Sequence, residues 1–112
     1  MKNYIADFLI EYDCPVEYIG FSILCDALCV ACQDLLEVNN NLKCVYLEVG
    51  RKHKMTRLSI ERNLRTLITV WSKKPKFKEL FDEIPTNAKL VISLSHKILR
   101  PNASVYDMLL YQ

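Results

Sequence analysis

Arg62 and Arg65 stand three residues apart in the stretch Leu58 to Trp71, a spacing that brings both guanidinium groups to one side of a helix. A guanidinium can bond two acceptors of a guanine edge at once, which the point charge of a lysine ammonium cannot do. Arg51, Lys52, Lys54, Arg57, Lys73 and Lys74 flank the pair. Cations so placed suit phosphate contacts, which set docking and carry no base information. The chemistry on offer is polyanion recognition, not bond-making.

The charge distribution points the same way. Residues 51–78 hold ten basic residues against one acid, Glu61, a net of +9. Residues 1–48 carry a net of −6 and residues 79–112 a net of −1, so the overall +2 conceals a strong dipole. A concentrated basic block is the electrostatic footprint of a polyanion binder; a solvated lysine-rich face is the plainer alternative. Enzyme chemistry is not indicated: His53 and His96 have no acid or cysteine partner at a readable spacing, and two glycines cannot build a phosphate loop.

The elements that position these residues are helical. At 112 residues, 51% hydrophobic and 25% charged, the composition is that of one folded domain, 1–112, with a sizeable core. Strand-like alternation is scarce and no apolar run is long enough to span a bilayer. The acids in the first thirteen residues argue against a signal peptide, and five cysteines without one fit a reducing cytoplasm. Ile5, Phe8, Leu9 and Tyr12 predict a first helix ending before Pro15. A second helix is expected from about Phe21 to Glu37, with Leu24, Leu28, Ala31, Cys32, Leu35 and Leu36 inward, stopped by Asn39–Asn41. Cys25, Cys29 and Cys32 form one stripe on it; without a nearby histidine they read as core thiols, and no metal or cofactor is expected.

Next comes a helix-turn-helix over about 44–73. Val45, Tyr46 and Val49 anchor its first helix, His53 to Thr56 make the turn, and Thr56 caps the second helix, about 57–72. At about 100° per residue, Ile60, Leu64, Leu67, Ile68 and Trp71 share the core face, with Arg62, Arg65, Thr66, Thr69 and Ser59 opposite or alongside. Leu58 falls on the polar side, where packing against a neighbouring loop is expected. Phe77, Leu80, Phe81 and Ile84 predict a short helix after Pro75. Leu90, Val91, Leu94, Ile98 and Leu99 predict another, closed by Pro101-Asn102. The tail, 101–112, is apolar enough to dock on the body or on a second copy.

Together these motifs resemble the C-terminal DNA-binding effector domain of the master sporulation response regulator of endospore-forming bacteria. The likeness rests on Thr56, on Ser59-Ile60-Glu61-Arg62-Asn63-Leu64-Arg65-Thr66, on Trp71, on Pro85-Thr86-Asn87 and on Val45-Tyr46, and covers about Ile5 to Leu99. It implies an all-α bundle of about six helices, of the winged-helix-like effector class without a wing. It also implies a cytoplasmic regulator on promoter DNA as a homodimer on tandem sites, with contact to RNA polymerase and its sigma subunit. By position, Ser59, Glu61, Arg62, Arg65 and Thr66 are the expected base contacts; Arg51, Lys52, Lys54, Thr56, Arg57, Lys73 and Lys74 are the expected phosphate contacts. Ser59 replaces the family's arginine and Thr66 its histidine, so the family's operator does not carry over. The family's receiver domain has no counterpart here, and the start at Met1 suggests a stand-alone relative rather than an excised domain. The alternative function is a protein-interaction module for a sigma factor or a full-length regulator that has lost specific DNA reading.

Overall fold

A computed structural model of the chain describes residues 2–33 and 42–110, and the side chains of the last helix as far as Leu99. The described residues form five α-helices and one short 3-10 helix, with no strand, in keeping with the expected all-α class. Helix α1 spans Lys2–Glu11, α2 Ile19–Gln33, α3 Leu42–His53, α4 Arg57–Trp71 and α5 Asn87–Leu110; the 3-10 helix is Pro75–Glu79. None of them is long and apolar enough to cross a membrane.

Helix α2 is the hub. It packs against α1, α3, α4 and α5 and buries Ile23, Leu24, Cys25, Ala27, Leu28 and Ala31. It begins at Ile19, two residues before the expected Phe21; its expected end at Glu37, with Leu35, Leu36 and the asparagine stop, lies outside the described residues. Cys25 is buried and Cys29 and Cys32 are half-buried against the same core. Burial, with the nearby Asp26 carboxylate, pushes the Cys25 thiol up to about 11, and burial pushes Cys14 higher still. Protonated thiols of this kind act as small hydrophobes.

Two helices end in the same way. Asp13 (φ 62°) and Lys54 (φ 55°) take the left-handed conformation just past α1 and α3. The next amide reaches back to close the helix: Cys14 N–H donates to Leu9 O at 3.0 Å and Met55 N–H to Gly50 O at 2.9 Å. This is the Schellman arrangement, in which the orphan carbonyls of the last turn gain donors.

Gly20 sets how close α2 comes to α4. A Cβ there would lie 2.6 Å from Asn63 O and 2.9 Å from the Leu67 Cβ. Neither the backbone oxygen nor the β-carbon of a packed helix can swing away. Gly20→Ala therefore gains up to about 1 kcal/mol of helix propensity but loses about 1–3 kcal/mol to overpacking. We expect a lower melting temperature by differential scanning calorimetry; an unchanged or raised value would show that α4 can slide freely on α2.

Two expectations need correcting. Phe77, Leu80 and Phe81 are buried as expected, but the segment is a 3-10 helix ending at Glu79, and Ile84 is 63% exposed. Pro85 disfavours helical geometry in the residue before it, so Ile84 lies outside any helix and off the apolar face. Pro101 does not close α5, which runs through it to Leu110. A proline removes one ladder hydrogen bond, and the helix-compatible residues on both sides carry the helix past that loss. Docking by the tail lies outside the described side chains.

Candidate nucleic-acid interface

The turn between α3 and α4 is built from backbone constraints. Gly50 leaves room for the returning chain, since a Cβ there would sit 2.8 Å from Met55 O. Lys54 reverses the direction, and Thr56, extended at ψ 161°, caps α4 by accepting from Ser59 N–H at 3.2 Å. This satisfies one of the orphan amides of the first turn.

Helix α4 is then two-faced. Ile60, Leu64, Leu67, Ile68 and Trp71 are fully buried, as their spacing predicts. Leu58, Arg62, Arg65, Thr66 and Thr69 are exposed on the other side, with Ser59 and Glu61 half-buried at its margins. Leu58 does not pack under a loop as expected: it is 56% exposed, on the same side as the arginines. Arg51, Lys52, Lys54 and Thr56 precede this face and Lys73 and Lys74 follow it, separated by roughly 22 Å of helix at 1.5 Å per residue.

The structure distinguishes among the candidate cations by what already holds them. Arg51 pairs with Glu48 at 2.6 Å. Arg57 pairs with Glu61 at 3.1 Å, and its guanidinium carbon lies 5.1 Å from the centre of the Tyr46 ring. Arg65 donates to Pro85 O at 3.1 Å and to Asn87 Oδ1 at 3.2 Å. Arg62, Lys54, Lys73 and Lys74 have no side-chain hydrogen bond or ion pair among the described residues.

Two contributors were missed by reading residues alone. Asp26, on α2, is 4% exposed, and its carboxylate gathers Lys2 and Lys52, each at 3.0 Å, and His53 at 2.6 Å. Burial alone would raise this carboxyl; the hydrogen bonds from Lys52, Lys2 and His53 outweigh it and hold Asp26 below the usual carboxylate range. The cluster pins the end of α3, where the turn begins, to α2 and to the start of α1. Its only trace in the sequence is an acid in an apolar run, Ile-Leu-Cys-Asp-Ala-Leu. Asn87 is the second, an interior link between α5 and α4 that no local pattern announces: its Nδ2 donates to Glu61 O at 3.0 Å.

The sequence matches the family described as Sporulation initiation factor Spo0A C terminal over residues 5–98, most of the chain. That family consists of transcription-factor domains and not of enzymes. No curated protein and no solved structure matches the chain. With the helical fold and the open basic face of α4, the match means that the chain belongs to the family of C-terminal effector domains of the sporulation initiation factor Spo0A.

Proposed function

We propose that this protein is a sequence-specific, double-stranded DNA-binding regulator of transcription that lays α4 in the major groove. The observation that carries the reading is the division of α4 between a fully buried face and an open one bearing Arg62, Arg65, Thr66 and Thr69. A helix about 10–12 Å across fits a groove about 12 Å wide. Family membership supports promoter DNA as the target.

Arg62 is the principal base reader. Its guanidinium is exposed and has no partner among the described residues, which leaves both edges of the fork for a guanine. Ser59, Glu61 and Thr66 flank it as secondary base contacts. Lys54, Thr56, Lys73 and Lys74 hold phosphates at the two ends of the helix, and Arg51, Lys52 and Arg57 add charge while keeping their internal partners. Thr56 can donate its hydroxyl proton to a phosphate oxygen while its lone pair still caps Ser59.

The test compares two variants against every single-base change of the preferred duplex. Arg62→Ala should weaken binding to the best site by about 1–3 kcal/mol and flatten the preference at one base pair. Lys74→Ala should weaken all duplexes alike and reduce the salt slope by about one. If both variants shift all duplexes by a common factor, α4 does not read bases through Arg62.

A further inference from the structure

The Arg65 side chain reaches away from its own helix to the start of α5. There the buried Pro85 offers its carbonyl at 3.1 Å, and Asn87 its amide oxygen at 3.2 Å. Asn87 in turn donates to the backbone carbonyl of Glu61, one turn before Arg65 on α4. Two of these hydrogen bonds and one turn of α4 close a ring: Arg65 side chain to Asn87, Asn87 to Glu61, and Glu61 to Arg65 along the helix. Thr86 fixes the far side by capping α5, accepting from Lys89 N–H at 3.1 Å.

We propose that Arg65 is a positioning residue that clasps the recognition helix to the start of α5, and that base discrimination rests on Arg62. The proposal depends on the DNA-binding reading above and assigns different roles to two arginines that look equivalent in the sequence. Both are exposed, and they lie three residues apart on one face. Of the two, only Arg65 has a terminal nitrogen satisfied among the described residues: its Nη2 donates to both Pro85 O and Asn87 Oδ1. To turn Nη2 onto a guanine it must give up two acceptors, one of them the carbonyl of a buried proline, and leave Asn87 with one partner instead of two. Arg62 has no partner among the described residues to give up. The clasp also fixes the rotation of α4 about its axis, because Asn87 grips the helix backbone at Glu61 while Arg65 grips Asn87. A rotation of one residue would turn Arg62 by about 100° away from the groove.

Lysine cannot replace this function. Its ammonium keeps the charge but ends one bond short of the Nη2 position, so it does not reach the Pro85 carbonyl and the Asn87 amide oxygen together. Arg65→Lys therefore separates the clasp from a simple phosphate contact, and Asn87→Ala cuts the link from Arg65 to the Glu61 backbone while leaving the Arg65 charge and its bond to Pro85 O intact.

The experiment is binding-site selection from random duplex DNA with the wild-type chain, followed by equilibrium binding of Arg65→Ala, Arg65→Lys, Asn87→Ala and the Arg65→Ala/Asn87→Ala double variant to the selected duplex and its single-base changes. Circular dichroism checks that each variant is folded at the assay temperature. The clasp predicts that all four lose about tenfold in affinity, the effect of roughly one charge-assisted hydrogen bond. It also predicts an unchanged order of base preference, and a double variant no worse than either single one. If Arg65→Ala flattens the preference at one base pair while Asn87→Ala binds as the wild type does, Arg65 is a reader and the clasp is overturned. If Arg65→Lys binds like the wild type, Arg65 is a phosphate contact and the clasp is again overturned. A wild-type selection that yields no motif removes the DNA-reading function itself, an outcome distinct from both.

Discussion

Trp71→Ala is expected to destabilise the protein by about 3–5 kcal/mol, the usual cost of emptying a large aromatic site in a core. Trp71 is the last residue of α4 and is fully buried. Its ring meets Phe77 edge-to-face, with centroids 5.0 Å apart and planes at 74°, and Phe77 continues the stack to Phe81 at 5.2 Å. Its indole N–H donates to Tyr12 O at 2.8 Å, just past α1. The alanine variant thus loses aromatic packing and also leaves a carbonyl short of a donor. Trp71→Phe keeps an aromatic ring but removes the N–H and part of the ring volume, so about 1–3 kcal/mol should be lost from the unpaired carbonyl together with the smaller ring. Trp71 is the only tryptophan, so urea unfolding of both variants must be followed by circular dichroism and not by its fluorescence. A loss below about 1 kcal/mol for the alanine variant would mean that α4 is not held by this contact. Against a typical stability of about 5–15 kcal/mol, the expected loss is a large share.

Asp26→Ala is the second large effect. Removing one partner of a buried ion cluster typically costs about 3–5 kcal/mol. Here Lys2 and Lys52 are about half exposed and can return to water, so about 2–3 kcal/mol at neutral pH is the better figure. The sign of the pH dependence follows from the Asp26 carboxyl, whose folded value lies below the ordinary one. The stability that it supplies is present above its unfolded value of about 4 and is lost as pH falls through the lower folded value. The difference in unfolding free energy between wild type and Asp26→Asn should therefore be level from about pH 7 down to pH 5 and shrink below about pH 4. A difference that grows on acidification would show that Asp26 is protonated in the folded protein. Since the cluster secures the start of the turn, Asp26→Asn should also weaken DNA binding without altering base preference.

These two residues show what was legible and what was not. The core face of α4, with Trp71, follows from apolar spacing at the helical period, and Thr56 from the chemistry of capping. Both are local rules acting within a few residues, and the structure agrees with them. Asp26 reaches Lys52 and His53 across more than twenty-five positions, and Arg65 reaches Asn87 across twenty-two. No periodicity encodes such a pairing, so Arg62 and Arg65 read alike until the fold separates them. Leu58 and Ile84 fail for a related reason. Each is apolar, and hydrophobicity alone predicts burial, yet Leu58 lies on the open side of α4 and Ile84 in the irregular stretch before Pro85. Pro101 shows that a local helix-breaker marks a lost hydrogen bond, not a helix end.

Base reading by α4 is best tested by selection of binding sites from random duplex DNA with the wild-type protein at near-physiological salt. An enriched motif is expected, containing a guanine whose replacement weakens the wild type but has little effect on Arg62→Ala. Binding without an enriched motif, collapsing steeply as salt rises, would contradict it and leave only charge-driven contact with the DNA backbone.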